Sequence, residues 1–227
     1  MTATDVQGEV TNEHIVQAVE ASHTYFRTGN TRPLTWRIQQ LDKLEEFLRK
    51  EEQAITAALK SDLGRSEGET YLLERWSLLV EITNTRKKLR KWAAPRRVST
   101  PLPFLPGSGF LRPEPLGVVS VIAPWNYPMY LTLAPLIGII AAGNCAVLKP
   151  SELAPATSEL LAERLPGYLD SDCFPVVPGG VSATTTLLNL TSLSVNVTVK
   201  SDFYGSLVVL KGDSCDPLDC SSSTRYW

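Results

Sequence analysis

Two polar side chains stand at the ends of one long apolar stretch. Asn126 sits between two prolines in Pro124-Trp125-Asn126-Tyr127-Pro128, and Lys149 closes the run Cys145-Ala146-Val147-Leu148, with Glu152 following three residues later. Each residue type suits a task at a nucleotide-like site. A neutral Asn amide can donate a hydrogen bond to an oxygen that gains negative charge during reaction. A Lys ammonium can hold ribose hydroxyls or a phosphate, and the Glu152 carboxylate can accept from a ribose hydroxyl. Gly179 and Gly180 can let backbone approach a flat ligand closely. Plainer roles stand beside these: Asn126 as the cap of a following helix, and Lys149 as an exposed strand end. The glycine fingerprint GxGxxG of the common dinucleotide fold is absent.

A covalent route would need a thiolate. The four cysteines are Cys145, Cys173, Cys215 and Cys220. The first two lie among apolar residues and read as core fillers. Cys215 and Cys220 lie in a polar stretch with no nearby cation to lower their pKa. The two histidines, His14 and His23, lie far upstream of them, so no zinc-type ligand set is formed. A metal site is not expected.

The elements that must position Asn126 and Lys149 follow from pattern. "GVVSVIAP" and "CAVLKP" are β-branched or apolar runs fit for buried strands, and "MYLTLAPLIGIIAAG" between them has helix length, with Gly143 to close it. "APATSELLAERLPGYL" is an amphipathic helix and "CFPVVPGG" a third short strand. Strand-helix-strand-helix-strand predicts parallel strands, half of a doubly wound, Rossmann-like sheet. In such a sheet ligands bind beyond the carboxyl ends of the strands. Asn126, Lys149 and the glycine pair would all reach that edge.

Upstream, residues 11 to about 92 read as helices. Ile38, Leu41, Leu44, Leu48, Ile55 and Leu59 mark one face of a helix opened by "TRPLTW" and stopped at Gly64. Leu72, Trp76, Leu79 and Leu89 are expected on one side of the next, which ends in the basic "RKKLRKWAAPRR". Val98–Gly117 is too rich in Pro and Gly for a helix and reads as an extended arm or edge hairpin. From about Asn189 the chain turns rich in Ser, Thr and Asp. There Leu193, Val195, Val197 and Val199 alternate, "YGSLVVLK" could pair with them across "KSDF", and no helix is evident. The expected division is a helical region (1–97), the arm (98–116), a partial dinucleotide-binding domain (117–188) and a divergent β-rich tail (189–227). The fold class is α/β.

The chain has 227 residues, 43% hydrophobic and 20% charged, with net charge −2. It can build a core, and it lacks the global basic field that nucleic-acid binding calls for. The N-terminus is polar and acidic, without a signal-peptide pattern. The apolar run Leu131–Leu148 is broken by Pro135 and Asn144 and falls short of a span of about 20 residues. No transmembrane segment and a cytoplasmic location are expected.

The segment Glu114–Asp170, with "PWNYP", "AAGN" and "LKPSE", strongly resembles the aldehyde dehydrogenase superfamily. "ALKSDLGRSEGETYLLE" and "TPLPFLPGSG" resemble its class 3, fatty-aldehyde branch, and the likeness runs from about residue 10 to about residue 188. The resemblance implies an oxidoreductase that takes NAD or NADP, oxidises an aldehyde to a carboxylic acid, and forms a homo-oligomer. It also implies a variant dinucleotide fold without the usual fingerprint. By motif, Asn126 matches the family's oxyanion donor, and Lys149 and Glu152 match its adenosine-ribose contacts. Ala123 and Trp125 match the loop along the cofactor, and Gly180 and Val181 match the loop near the adenine. The family's later segments, the "ELGGK" general base and the "GQ-x-C" nucleophile, are not found here, and "FYGS" at Phe203–Ser206 only echoes its fourth-strand turn. The expectation is therefore a family member truncated before its catalytic Cys and Glu. The alternative is a non-catalytic product, or an interaction module that pairs with a full-length relative.

Overall fold

A computed structural model describes residues 11–104, 106–190, 193, 195–202 and 205–211. Cys215 and Cys220, and the side chains whose alternation marks Val195, Val197 and Val199, lie outside the described residues. The chain opens with a layer of helices. Helix α1 (Asn12–Arg27) is capped by the Thr11 side chain, which accepts from the His14 amide. Helices α2 (Leu34–Lys50) and α3 (Glu52–Leu63) carry the expected buried stripe, including Leu41, Leu44, Leu48, Ile55 and Leu59. The single helix read from that stripe is in fact two. The break at Glu51 lies beside the Leu48 carbonyl, which accepts Nε (3.1 Å) and Nη2 (2.9 Å) of Arg75. Gly64 ends α3 in the left-handed region at φ 67°, as expected.

Ser66 and Glu69 form a reciprocal capping box at the start of α4 (Glu67–Thr70). The chain then passes through a π-helical stretch, Tyr71–Arg75, into α5 (Trp76–Trp92). This corrects the expected face. Leu72 and Trp76 point outward, 58% and 47% exposed, Leu79 is half-buried, and the buried residues are Leu78, Ile82, Thr85 and Leu89. A π turn holds more residues than an α turn, so it shifts the helical phase that a 3.6-residue period assumes. The shift carries Glu74 and Arg75 inward.

The Pro/Gly-rich arm forms an edge hairpin, β1 (Arg96–Val98) antiparallel to β2 (Gly109–Leu111). The main sheet contains β3 (Val118–Ile122), β4 (Cys145–Lys149), β5 (Val195–Asp202) and β6 (Gly205–Lys211), in the order β4-β3-β5-β6. β3 is parallel to both β4 and β5, while β6 returns antiparallel to β5. The expected third strand is reduced to a parallel bridge, Leu148 with Val176. Its hydrogen bonds run from the Ala146 amide to Cys173 O, from the Leu148 amide to Pro175 O, and from the Val177 amide to Leu148 O. Pro175 and Pro178 have no N–H to give, which keeps the segment short. Counting it, the sheet grows outward from β3 through β4 to residues 173–177, then reverses and adds β5 on the other side of β3. The tail hairpin thus joins the sheet, and its pairing runs as far as Asp202 with Gly205, into the "KSDF" expected to lie between the strands.

Helix α6 (Pro128–Ala142) links β3 to β4 and ends at Gly143. Helix α7 (Pro155–Arg164) follows β4, and α8 (Val181–Asn189), which the sequence reading did not foresee, follows the glycine pair. One continuous apolar core joins α1, α2, α3 and α5 to β3, β4 and α6. Among the described residues no helix is long and apolar enough to cross a membrane, and Leu131–Leu148 is a buried helix end followed by a buried strand.

Candidate functional site

The carboxyl ends of β3 and β4 lie level, while β5 runs on past them to Asp202. Ile122 is in register with Lys149 of β4 and with Thr198 of β5. The order of strands reverses between β3 and β5, the kind of switch point where open α/β sheets leave a crevice for a ligand. The sequence-predicted residues arrive on this edge from three directions. Ala123, Trp125 and Asn126 follow β3, and Ala123 is buried and donates its amide to Lys149 O at 3.0 Å. Trp125 is half-exposed. Lys149 ends β4, and Gly180 and Val181 begin α8 after the segment beside β4, with Val181 75% exposed.

Lys149 is not the exposed strand end of the plainer reading. It is only 2% exposed, and its Nζ donates to Glu152 Oε2 at 2.8 Å and to Pro150 O at 3.3 Å. Burial alone would push the Glu152 carboxyl up. The hydrogen bond from Lys149, a backbone N–H and the ammonium charge outweigh it, so the group sits below the usual carboxylate range. Lys149 and Glu152 are therefore one pre-paired unit. A Lys ammonium has three donors, and among the described residues two of them are engaged.

The two glycines differ. Gly179 has φ +148°, and a Cβ there would meet the Ala183 Cβ at 2.8 Å, so the backbone demands glycine. Gly180 has an ordinary φ of −91°, and a Cβ would meet nothing within 4 Å. Space, not strain, is what Gly180 leaves at the start of α8.

Asn126 does not cap α6. The residue at that position is Tyr127, and no side chain near in sequence caps the helix. Pro128, first in the helix, has no N–H. The next two amides, Met129 and Tyr130, both donate to Oε2 of Glu74 at 2.9 Å. Glu74 comes from the π-helical stretch and is fully buried. Its other oxygen pairs with Arg65, whose Nη2 donates to the main-chain carbonyl of Asn126 at 2.6 Å and whose guanidinium lies 4.5 Å over the Tyr127 ring. Burial raises the Glu74 carboxyl above its ordinary range, against the pull of the two amides and of Arg65.

Sequence reasoning missed this pair and two further long-range contacts of the same kind. Asp62 accepts from the Ala156 and Thr157 amides (3.0 and 2.8 Å) at the uncapped start of α7. Arg37, buried, donates to Ala141 O at the end of α6 and to Thr31 O, both at 3.0 Å. The available signal was negative and partial: α7 follows Leu153-Ala154, which cannot cap it, whereas at α6 the nearby Asn126 concealed the need for a distant cap.

The described thiols lie away from Asn126. Cys145 begins β4 and Cys173 lies beside Ala146, at the amino end of the strands. Both are buried, their Sγ atoms 2.9 Å apart, and burial drives the Cys173 thiol far above its ordinary pKa. Neither is an activated nucleophile.

The family model described as "Aldehyde dehydrogenase family" matches residues 3–206. That match passes the departure expected near Asn189 and takes in β5. The chain is 46% identical over 163 residues to rat "Aldehyde dehydrogenase family 3 member A2", covering 72% of this chain and 34% of that protein. It is 42% identical over 174 residues to dog "Aldehyde dehydrogenase, dimeric NADP-preferring", covering 77% of this chain and 38% of that protein. It thus spans about a third of the length of these relatives. The solved structure titled "Substrate bound state of Staphylococcus Aureus AldH" superposes with TM-score 0.76 at 38% identity, over 78% of this chain and 39% of that one. The Pseudomonas aeruginosa aldehyde dehydrogenase KauB has the same fold, with TM-score 0.75 at 23% identity, over 84% of this chain and 38% of that one.

Proposed function

This chain belongs to the aldehyde dehydrogenase family, and from that premise we propose that it carries the cofactor cradle and the oxyanion donor of an NAD(P)-dependent oxidation of an aldehyde to its acid. The observation that carries the proposal is the level carboxyl edge of β3 and β4, beside the β3/β5 switch point, onto which the Asn126 loop, the Lys149–Glu152 pair and the open start of α8 all follow. The residues fit a nicotinamide dinucleotide. The paired Lys149 and Glu152 offer a donor and an acceptor for ribose hydroxyls, and the negative charge of Glu152 disfavours a 2′-phosphate. Gly180 leaves room for backbone to meet a flat ring. When bound, the nicotinamide supplies the hydride acceptor. Asn126 donates to the oxygen that becomes anionic when a nucleophile adds to the aldehyde carbon, a contribution of about 3–4 kcal/mol in comparable sites.

Without a nucleophile there is no oxyanion to hold. The 227 residues contain no counterpart of the family's "GQ-x-C" or "ELGGK" segments, and the buried pair Cys145 and Cys173 cannot substitute. We therefore assign to these 227 residues the cofactor cradle and the oxyanion donor, and not the nucleophile that turnover needs. The exposed Leu102, Phe104, Phe110 and Leu111 of the arm favour a second reading, an interaction module that pairs with another chain.

Calorimetric titration with NAD tests the cradle. Binding is expected on the order of millimolar, about 4 kcal/mol, and lost in Lys149→Ala; equal heats in both proteins defeat the ribose assignment. Aldehyde added with NAD or NADP should give no reduced cofactor.

A further inference from the structure

We infer that Arg65 and Glu74 are positioning residues for Asn126, holding the turn that carries it from both sides. The inference rests on the reading of Asn126 as oxyanion donor. On one side Glu74 fixes the two amides that follow the turn, Met129 and Tyr130. On the other, Arg65 fixes the carbonyl of Asn126 itself and covers the ring of Tyr127. Because Arg65 also pairs with Glu74, the carbonyl, the ring and the two amides refer to one charge pair, its carboxylate fully buried and its guanidinium mostly so. Every backbone anchor from Asn126 to Tyr130 that this pair supplies comes from outside the turn.

Helix capping alone does not explain the arrangement. A neutral Ser or Asn next to α6 would cap it locally. Instead a fully buried carboxylate is brought from 55 residues upstream. Buried ion pairs are poor stabilisers, because desolvation offsets their attraction; what they can contribute is a unique geometry. Glu74 is aimed by a π-helical stretch, a feature that recurs at functional sites because it turns one side chain out of helical phase. Arg65 adds what a cap does not need. Its bond to the Asn126 carbonyl leaves the helix untouched and fixes the peptide from which the Asn126 side chain departs. A forked guanidinium can make the carboxylate contact and the carbonyl contact together.

The test uses the 227-residue chain with Arg65→Met, Arg65→Lys and Glu74→Gln. The readouts are the side-chain NH2 signals of Asn126 in a ¹H–¹⁵N spectrum, identified by their loss in Asn126→Asp, together with amide exchange and NAD titration. Arg65→Met is expected to move the Asn126 side-chain signals, to leave exchange at Met129 and Tyr130 near wild type, and to weaken NAD about fivefold. Arg65→Lys should recover part of both losses. Glu74→Gln should speed exchange at Met129 and Tyr130 about tenfold or more. If Arg65→Met lowers the melting temperature while the Asn126 signals stay in place, the pair is scaffold only and the inference falls. Failure of wild type to bind NAD would defeat the proposed function instead, and the Asn126 signals would still decide the role of Arg65. Should Glu74→Gln not fold, the two Arg65 variants carry the test alone.

Discussion

The helices of the two halves end in different ways. In the N-terminal layer three ends are closed by neighbours in sequence: Thr11 at α1, the Ser66–Glu69 box at α4, Gly64 after α3. Two helices beside the sheet take partners from far away, although α6 also has its own stop at Gly143. α6 takes Glu74 at its start and Arg37 at its end, and α7 takes Asp62 at its start. An acid at the amino end and a base at the carboxyl end match the helix dipole in each case. The layer can satisfy most of its own backbone, whereas the sheet half depends on the layer. Dividing the chain between them would leave buried amides and carbonyls without partners.

The comparison can be broken most severely at Glu74. Glu74→Ala should cost about 3 kcal/mol, because it strands a mostly buried guanidinium and two helix amides. Glu69→Ala, which removes half of a local box, should cost about 1 kcal/mol. Denaturant unfolding of the two variants checks the ratio, and equal losses would erase the distinction between local and borrowed caps.

A sharper version uses two glycines of like conformation. Gly143 has φ +81° and Gly64 has φ +67°. A Cβ at Gly64 meets nothing within 4 Å, while at Gly143 it would meet the Arg37 guanidinium at 2.6 Å. Gly64→Ala should cost about 1 kcal/mol, from backbone strain alone. Gly143→Ala should cost about 3 kcal/mol, since it adds the displacement of a borrowed cap. Thermal unfolding of both proteins separates the two contributions.

The smallest effect concerns pH. The folded Glu152 carboxyl lies below its unfolded value, so its contribution is present above the unfolded pKa and fades as pH falls through the folded one. The stability gap between wild type and Glu152→Gln should be greatest near neutrality and shrink in acid. It should be modest, because the carboxylate is partly open to water. A gap that widens in acid would reverse the assignment.

Much of the site was legible because its signals are local. A β-branched run, a small apolar helix and a strand ending in Lys can be read within a few residues of one another, and the register of β3 with β4 follows from that unit. The remainder depends on distant partners. Nothing around Glu74 in "YLLERW" says that it meets Met129, and nothing around Asp62 says that it meets Thr157. The π-helical stretch removed the periodicity on which the face of α5 was judged. Pro175 reduced a strand that hydrophobicity alone would have extended, and β5 was read as a hairpin arm because its partner β3 lies more than seventy residues upstream.

The borrowed caps share one further property: direction along the chain. Arg37, Asp62 and Glu74 all precede the helices they close. A ribosome makes a chain from its amino end, and early segments can begin to fold before later ones exist. When the residues of α6 emerge, the acid for its start and the base for its end have already been synthesised. The N-terminal layer can then act as a template on which a helix with no local side-chain cap at its start completes that end. A permuted chain that presents Pro128–Lys149 first would have to form that helix with its amino end open and only Gly143 to stop it, and it should fold more slowly even where its final stability is unchanged.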